Sequence, residues 1–209
     1  MPHARRRTVR VTAIENQATP QILPLNRRKL LDDGVLGMAL FVFTEIMLFA
    51  GMISAFVIVK SSAPPGTWPP PDQPRLPVAS TALNTAALLL SGVVLTWTYR
   101  VFTNRGQRAA VLPMGIGILL GAFFVVFQGY EWANLLGQGL TMRSSQLGAF
   151  FYLIVGTHAL HAAGALAALL VFWQALRKEA LRPSRFRTAL LFWYFVVLMW
   201  PVIYWQVYL

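Results

Sequence analysis

Five apolar blocks, at about residues 35–59, 78–99, 111–135, 146–172 and 188–209, contain no Lys, Arg or Asp. Each exceeds the roughly 20 residues that a helix needs to cross a hydrocarbon core. Lipid offers the backbone no hydrogen bonds, so only helices and closed barrels can span it. Barrel strands need about 9–11 residues and alternate polar with apolar positions, and none of these blocks alternates. Composition agrees, with 56% of residues hydrophobic and 12% charged, the hydrophobic ones gathered in runs. The expected fold is an all-α integral membrane bundle of five transmembrane helices.

The basic residues set an orientation. Arg5, Arg6, Arg7, Arg10, Arg27, Arg28 and Lys29 precede the first block. Arg100, Arg105 and Arg108 lie in the second connection, and Arg177, Lys178, Arg182, Arg185 and Arg187 in the fourth. The opposite side carries only Lys60, Arg75 and Arg143. The positive-inside rule then predicts a cytoplasmic N-terminus and a periplasmic C-terminus. The net charge of +11 is spread by loop; without an aromatic-interleaved basic module it does not indicate a nucleic-acid partner. Residues 1–33 read as a basic cytoplasmic arm without the apolar core of a cleaved signal peptide, and 34–209 as one membrane domain. The absence of cysteine excludes disulfides, thiolate metal sites and thiol catalysis.

Packing motifs are legible within the blocks. The first outer loop, APPGTWPPPDQPRLP, holds seven of the thirteen prolines and favours extended structure. Its Trp68 suits a lipid interface. Asn84, Ser91 and Thr98 recur every seven residues with Leu88 and Leu95 between them, the spacing of a helix-packing face. Gly117 and Gly121 have GxxxG spacing, which lets helices approach closely. Pro201 removes a backbone donor and predicts a kink near Val197.

Four ionisable residues within the blocks are the candidate functional sites, because charge at bilayer depth is costly. Glu45 lies near the middle of the first block, where a lone carboxyl needs a donor or water to carry charge. It reads either as a relay carboxyl or as a group hydrogen-bonded within the bundle. His158 and His161 are about 300° apart around a helix, some 60° from one another on one face. Opposed helices, not one, normally supply two haem-ligating histidines, so hydrogen bonding within the bundle, to lipid or to a partner is the expected role, and no metal is expected. Glu131, between Tyr130 and Trp132, reads as an interfacial carboxylate within reach of water.

Several ordered motifs resemble subunit III of the haem–copper cytochrome c oxidases in its five-helix bacterial form. TEIMLFAGMISAF is similar to the family's Ser-Glu-x-x-x-Phe helix, and WPPP followed by ALNTAALLLSGVVLTW to its Pro-rich loop and Leu-Asn-Thr helix. QGYEW and GAFFYLIVGTHALHAAGA, the latter like its Gly-x-His-x-x-His helix, complete the set. The resemblance runs from about Gly34 to the C-terminus. It implies a chain without its own redox centre, in a bacterial inner membrane, lying beside catalytic subunit I and subunit II and other respiratory subunits, which carry the haems and copper. It also implies bound phospholipid and support of assembly, proton uptake and lasting turnover, with Glu45, Glu131, His158 and His161 as sensitive positions.

Two departures stand out. The family's Trp-His-Phe-Val-Asp is WYFVV here, with Tyr194 and Val197 at the altered positions, so those polar contacts are expected to be lost. The resemblance also implies that the two N-terminal helices of longer subunits have no counterpart among the five expected spans. An accessory subunit of a nitric oxide reductase or a quinol oxidase is the related alternative. A small transporter or proton channel is the alternative of another class, but it predicts inverted repeats that the sequence does not show.

Overall fold

The computed structural model describes residues 32–70 and 73–209. Among them are five long helices and no strand: α1 (Asp33–Ser62), α2 (Val78–Arg105), α3 (Gln107–Gly137), α4 (Gln146–Arg177) and α5 (Pro183–Ile203), the last continued by a π-helical turn at Tyr204–Tyr208. All five are long and apolar enough to cross a membrane. Most of the basic arm expected at 1–33 lies outside the described residues.

The helices run past the apolar blocks at their basic ends. The roughly ten-residue second connection expected from the sequence shrinks to Gly106, whose φ of 88° favours glycine. Arg100, Arg105 and Arg108 are therefore helical, and helix is a favourable state for Arg. Gln107 clamps the α4–α5 turn, donating to the Glu179 carbonyl at 3.1 Å and accepting from Leu181 N–H at 3.1 Å. An Arg108–Glu179 ion pair lies beside it. The start of α3 and the α4–α5 turn therefore share one end of the bundle, and Arg187 within 3.9 Å of Asp32 brings the start of α1 to that end as well.

The α2 stripe faces inward. Asn84, Leu88, Ser91, Leu95 and Thr98 are all buried. Two indoles of α5 reach this stripe: Trp193 Nε1 donates to Ser91 Oγ at 3.1 Å, and Trp200 Nε1 to Thr85 Oγ1 at 2.8 Å. Such interhelical bonds contribute on average about 0.6 kcal/mol in a membrane. They fix the rotation of α5, whose Trp193 and Trp200 are fully buried at the bundle centre. A Cβ at Gly117 would lie 2.8 Å from Leu95 of α2, and one at Gly121 2.6 Å from the Trp193 ring of α5. The GxxxG pair thus serves two different neighbours.

The altered α5 pentapeptide makes contacts of its own. Tyr194 does make a polar contact, its hydroxyl lying 2.7 Å from Thr96 Oγ1 of α2. Val197 fills the space over Gly92, where a Cβ would come within 3.1 Å of it. Pro201 cannot donate to the Val197 carbonyl, yet the α-helix continues to Ile203 and the irregularity follows as the π turn. α1 is the least covered helix, with only Phe49 and Phe56 buried. It rests on α5 and α4.

Candidate functional site

Glu45 and His161 meet where α1 crosses α4. Phe49 and Phe56 follow Glu45 at helical spacing and turn the same side of α1 inward. His161 Nδ1 lies 2.7 Å from the Thr157 carbonyl one turn back, and its Nε2 lies 3.0 Å from Glu45 Oε2. A carbonyl only accepts, so Nδ1 must carry a proton. Nε2 is then the ring nitrogen that faces the carboxyl. Their approach is not aligned as a hydrogen bond. The two groups are in close polar contact without a hydrogen bond.

The pair is shielded. Its side chains retain 13% and 15% of their exposure, and the imidazole has Phe41, Phe49, Phe192 and Phe195 around it with ring centroids 5.7–6.4 Å away. Depth is matched too: Glu45 lies within about 4 Å, and His161 within about 1 Å, of the midpoint of its own helix at 1.5 Å per residue. The arrangement sets a carboxyl and an imidazole face to face in an apolar setting.

His158 diverges from His161. It is 1% exposed and lies against Trp200, with ring centroids 5.1 Å apart. Its ring nitrogens have no hydrogen-bond partner among the described residues. It borders a cleft of about 380 Å³ between α3 and α4, also lined by Trp132, Gly129 and Gly156. Among the described residues there is no group of three or more His, Asp or Glu side chains that could hold a metal ion.

Glu131 needs correcting. It is 5% exposed and not a water-reaching interfacial carboxylate, whereas neighbouring Tyr130 is exposed. Ser80 and Thr81, on the first turn of α2, bond its two oxygens, Thr81 at 2.9 Å. Both hydroxyls also lie near the Pro77 carbonyl, at 3.2 and 2.8 Å, and each has one proton to share. Gln128 completes the cluster, donating to the Tyr208 hydroxyl at 3.0 Å and accepting from Asn84 Nδ2 at 3.3 Å. Sequence reading missed Ser80, Thr81, Gln128 and Tyr208 as partners. The available signals were the Gln128–Glu131 spacing on one face of α3 and two hydroxyls opening the preceding helix.

Residues 26–209 match the family described as cytochrome c oxidase subunit III. The chain belongs to that family. It is 31% identical over 179 residues to cytochrome c oxidase subunit 3 of Gallus gallus, covering 82% of this chain and 67% of the relative. Probable cytochrome c oxidase subunit 3 of Nocardia farcinica is 29% identical over 190 residues, with 87% and 89% covered. That of Mycobacterium leprae is 28% identical over 211 residues, with 96% and 98% covered. Subunit III membership makes the chain a subunit of an oxidase complex of the respiratory chain, associated with other subunits of that complex.

Proposed function

We propose that this subunit III chain is the non-catalytic lateral subunit of a proton-pumping haem–copper terminal oxidase in a bacterial inner membrane. It flanks catalytic subunit I, with subunit II in the same complex, and those chains carry the haems and copper. Residues 1–33 form its cytoplasmic arm, and the end of the bundle rich in Arg and Lys faces the cytoplasm. The exposed apolar residues of α1, among them Leu40, Phe43, Met47 and Ile58, bear lipid or a neighbouring subunit.

The observation that carries this reading is the Glu45–His161 pair, 3.0 Å apart at mid-depth. A carboxyl and an imidazole facing one another in a phenylalanine cage suit a chain that supports proton uptake and durable turnover in a neighbour. Glu131 and His158 have supporting roles in the bundle. The test is purification of the tagged chain from its native membrane in mild detergent, followed by a reduced-minus-oxidised spectrum and mass spectrometry of its partners. Haem bands together with a large oxidase subunit are expected. A colourless protein without partners would overturn the reading.

A further inference from the structure

The cleft between α3 and α4 combines apolar walls with unmet hydrogen-bonding groups. Its volume of about 380 Å³ suits a small-molecule site, and such sites are mostly apolar with a few polar groups. Gly129 and Leu160 in its lining are exposed, so it opens sideways on the bundle surface. Its width depends on Gly156, where a Cβ would meet only the Trp132 ring, 3.8 Å away. Phe124, Trp132 and Trp200 give it flat aromatic walls. Three nitrogens of lining residues, Trp132 Nε1 and both ring nitrogens of His158, are buried without a hydrogen-bond partner among the described residues. Burying such groups unmet costs free energy, and His158 is surrounded by the rings of Phe49, Phe124 and Trp200, with centroids 5.1–6.4 Å away. Gln128, the remaining polar side chain of the lining, is already engaged with Tyr208 and Asn84.

We infer that this cleft binds the ring of a neutral, lipid-soluble quinone. No Lys, Arg, Asp or Glu lines it, so a phosphate headgroup would be buried there without a countercharge. A quinone carbonyl carries no net charge and accepts from an indole or an imidazole N–H, and a neutral imidazole always keeps one. The planar ring matches the aromatic walls, and its apolar chain leaves past Leu160 and Gly129 toward lipid. A neutral glyceride offers carbonyls but no flat ring. The His158 nitrogens are themselves covered, so binding turns the imidazole about its terminal torsion, which is broad. The inference concerns binding alone, without electron transfer, and does not depend on the role proposed for Glu45 and His161.

The test uses the intact complex in nanodiscs, irradiated with a short-chain azido-benzoquinone, and labelled peptides are mapped by mass spectrometry. Labelling is expected within residues 124–132 and 155–163, and decylubiquinone should compete for it. Gly156→Leu fills the cleft and should lower labelling roughly tenfold or more. Gly156→Ala places its Cβ at ordinary contact distance and should keep most of it. Trp132→Phe and His158→Phe keep an aromatic wall and remove the nitrogens. Each should weaken competition roughly three- to tenfold, as expected for one lost hydrogen bond, and these two decide the matter should Gly156→Leu fail to assemble. Absence of competed labelling in this chain would overturn the proposal, as would competition unchanged in both nitrogen-free variants. Labelling that survives Gly156→Leu, or that dioleoylglycerol competes as well as decylubiquinone does, would show an unselective lipid surface and overturn it too.

Discussion

His161 faces Glu45 through Nε2 at 3.0 Å while its other nitrogen lies 2.7 Å from the Thr157 carbonyl. That second contact settles which ring nitrogen faces the carboxyl. Glu45→Ala removes the carboxyl that faces Nε2 and leaves the ring within its phenylalanine cage. Since Phe49 and Phe56 still anchor α1, the complex is expected to assemble while losing activity several-fold faster during turnover. Oxygen-consumption progress curves of the purified mutant complex check this. Unchanged inactivation kinetics would sink it.

The pairing also predicts energetic coupling. Glu45→Ala and His161→Leu each leave the other group buried without its partner, whereas the double variant leaves neither. Their effects on the denaturation midpoint of the complex should therefore be non-additive by about 0.5–3 kcal/mol. His161→Leu alone should also weaken retention of the subunit in native mass spectra. Additive effects would show that the two residues act independently.

How much of this was legible depends on what each feature needs. The five spans follow from apolar length, and the inward face of α2 from the seven-residue recurrence of Asn84, Ser91 and Thr98, both local signals. The direction of each histidine was not legible, because some 60° between neighbours on one helix is enough to send His158 to Trp200 and His161 to Glu45 once α1 and α5 pack on either side. Matching depths of Glu45 and His161 in their helices gave a hint that went unused. Glu131 was misread because its aromatic neighbours suggested an interface, while burial is decided by the Ser80–Thr81 turn on a different helix. Tyr194 was read only as a lost histidine, since its partner Thr96 lies 98 residues away.

Gly121 separates tolerance from overpacking. An added Cβ would come 2.6 Å from the fully buried Trp193 ring, which is tied to Ser91 and cannot yield freely. Gly121→Ala is expected to cost about 1–3 kcal/mol. Gly129→Ala on the same helix meets nothing within 4 Å and should stay near wild type. Paired thermal denaturation of the two variants decides the matter, and equal midpoints would contradict the close approach of α3 and α5.

Glu131 offers a contrast between removing charge and removing hydrogen bonding. Its oxygens receive the Ser80 and Thr81 hydroxyls at the start of α2, and its carboxyl lies beside the Gln128 amide, which is shared with Tyr208. Those hydroxyls can turn to the Pro77 carbonyl, so the cluster tolerates either a carboxylate or a neutral acceptor. Glu131→Gln keeps an acceptor of similar size and should cost less than about 1 kcal/mol. Glu131→Leu leaves part of the cluster unsatisfied and should cost about 1–3 kcal/mol, the penalty for a buried polar group without a partner. Because the cluster ties α2 and α3 to the π turn, the loss should appear first at that end, as faster amide exchange around Val78–Thr81 and Tyr204–Tyr208. Faster exchange at the opposite end alone, around Gly106, would show that Glu131 does not hold these elements together.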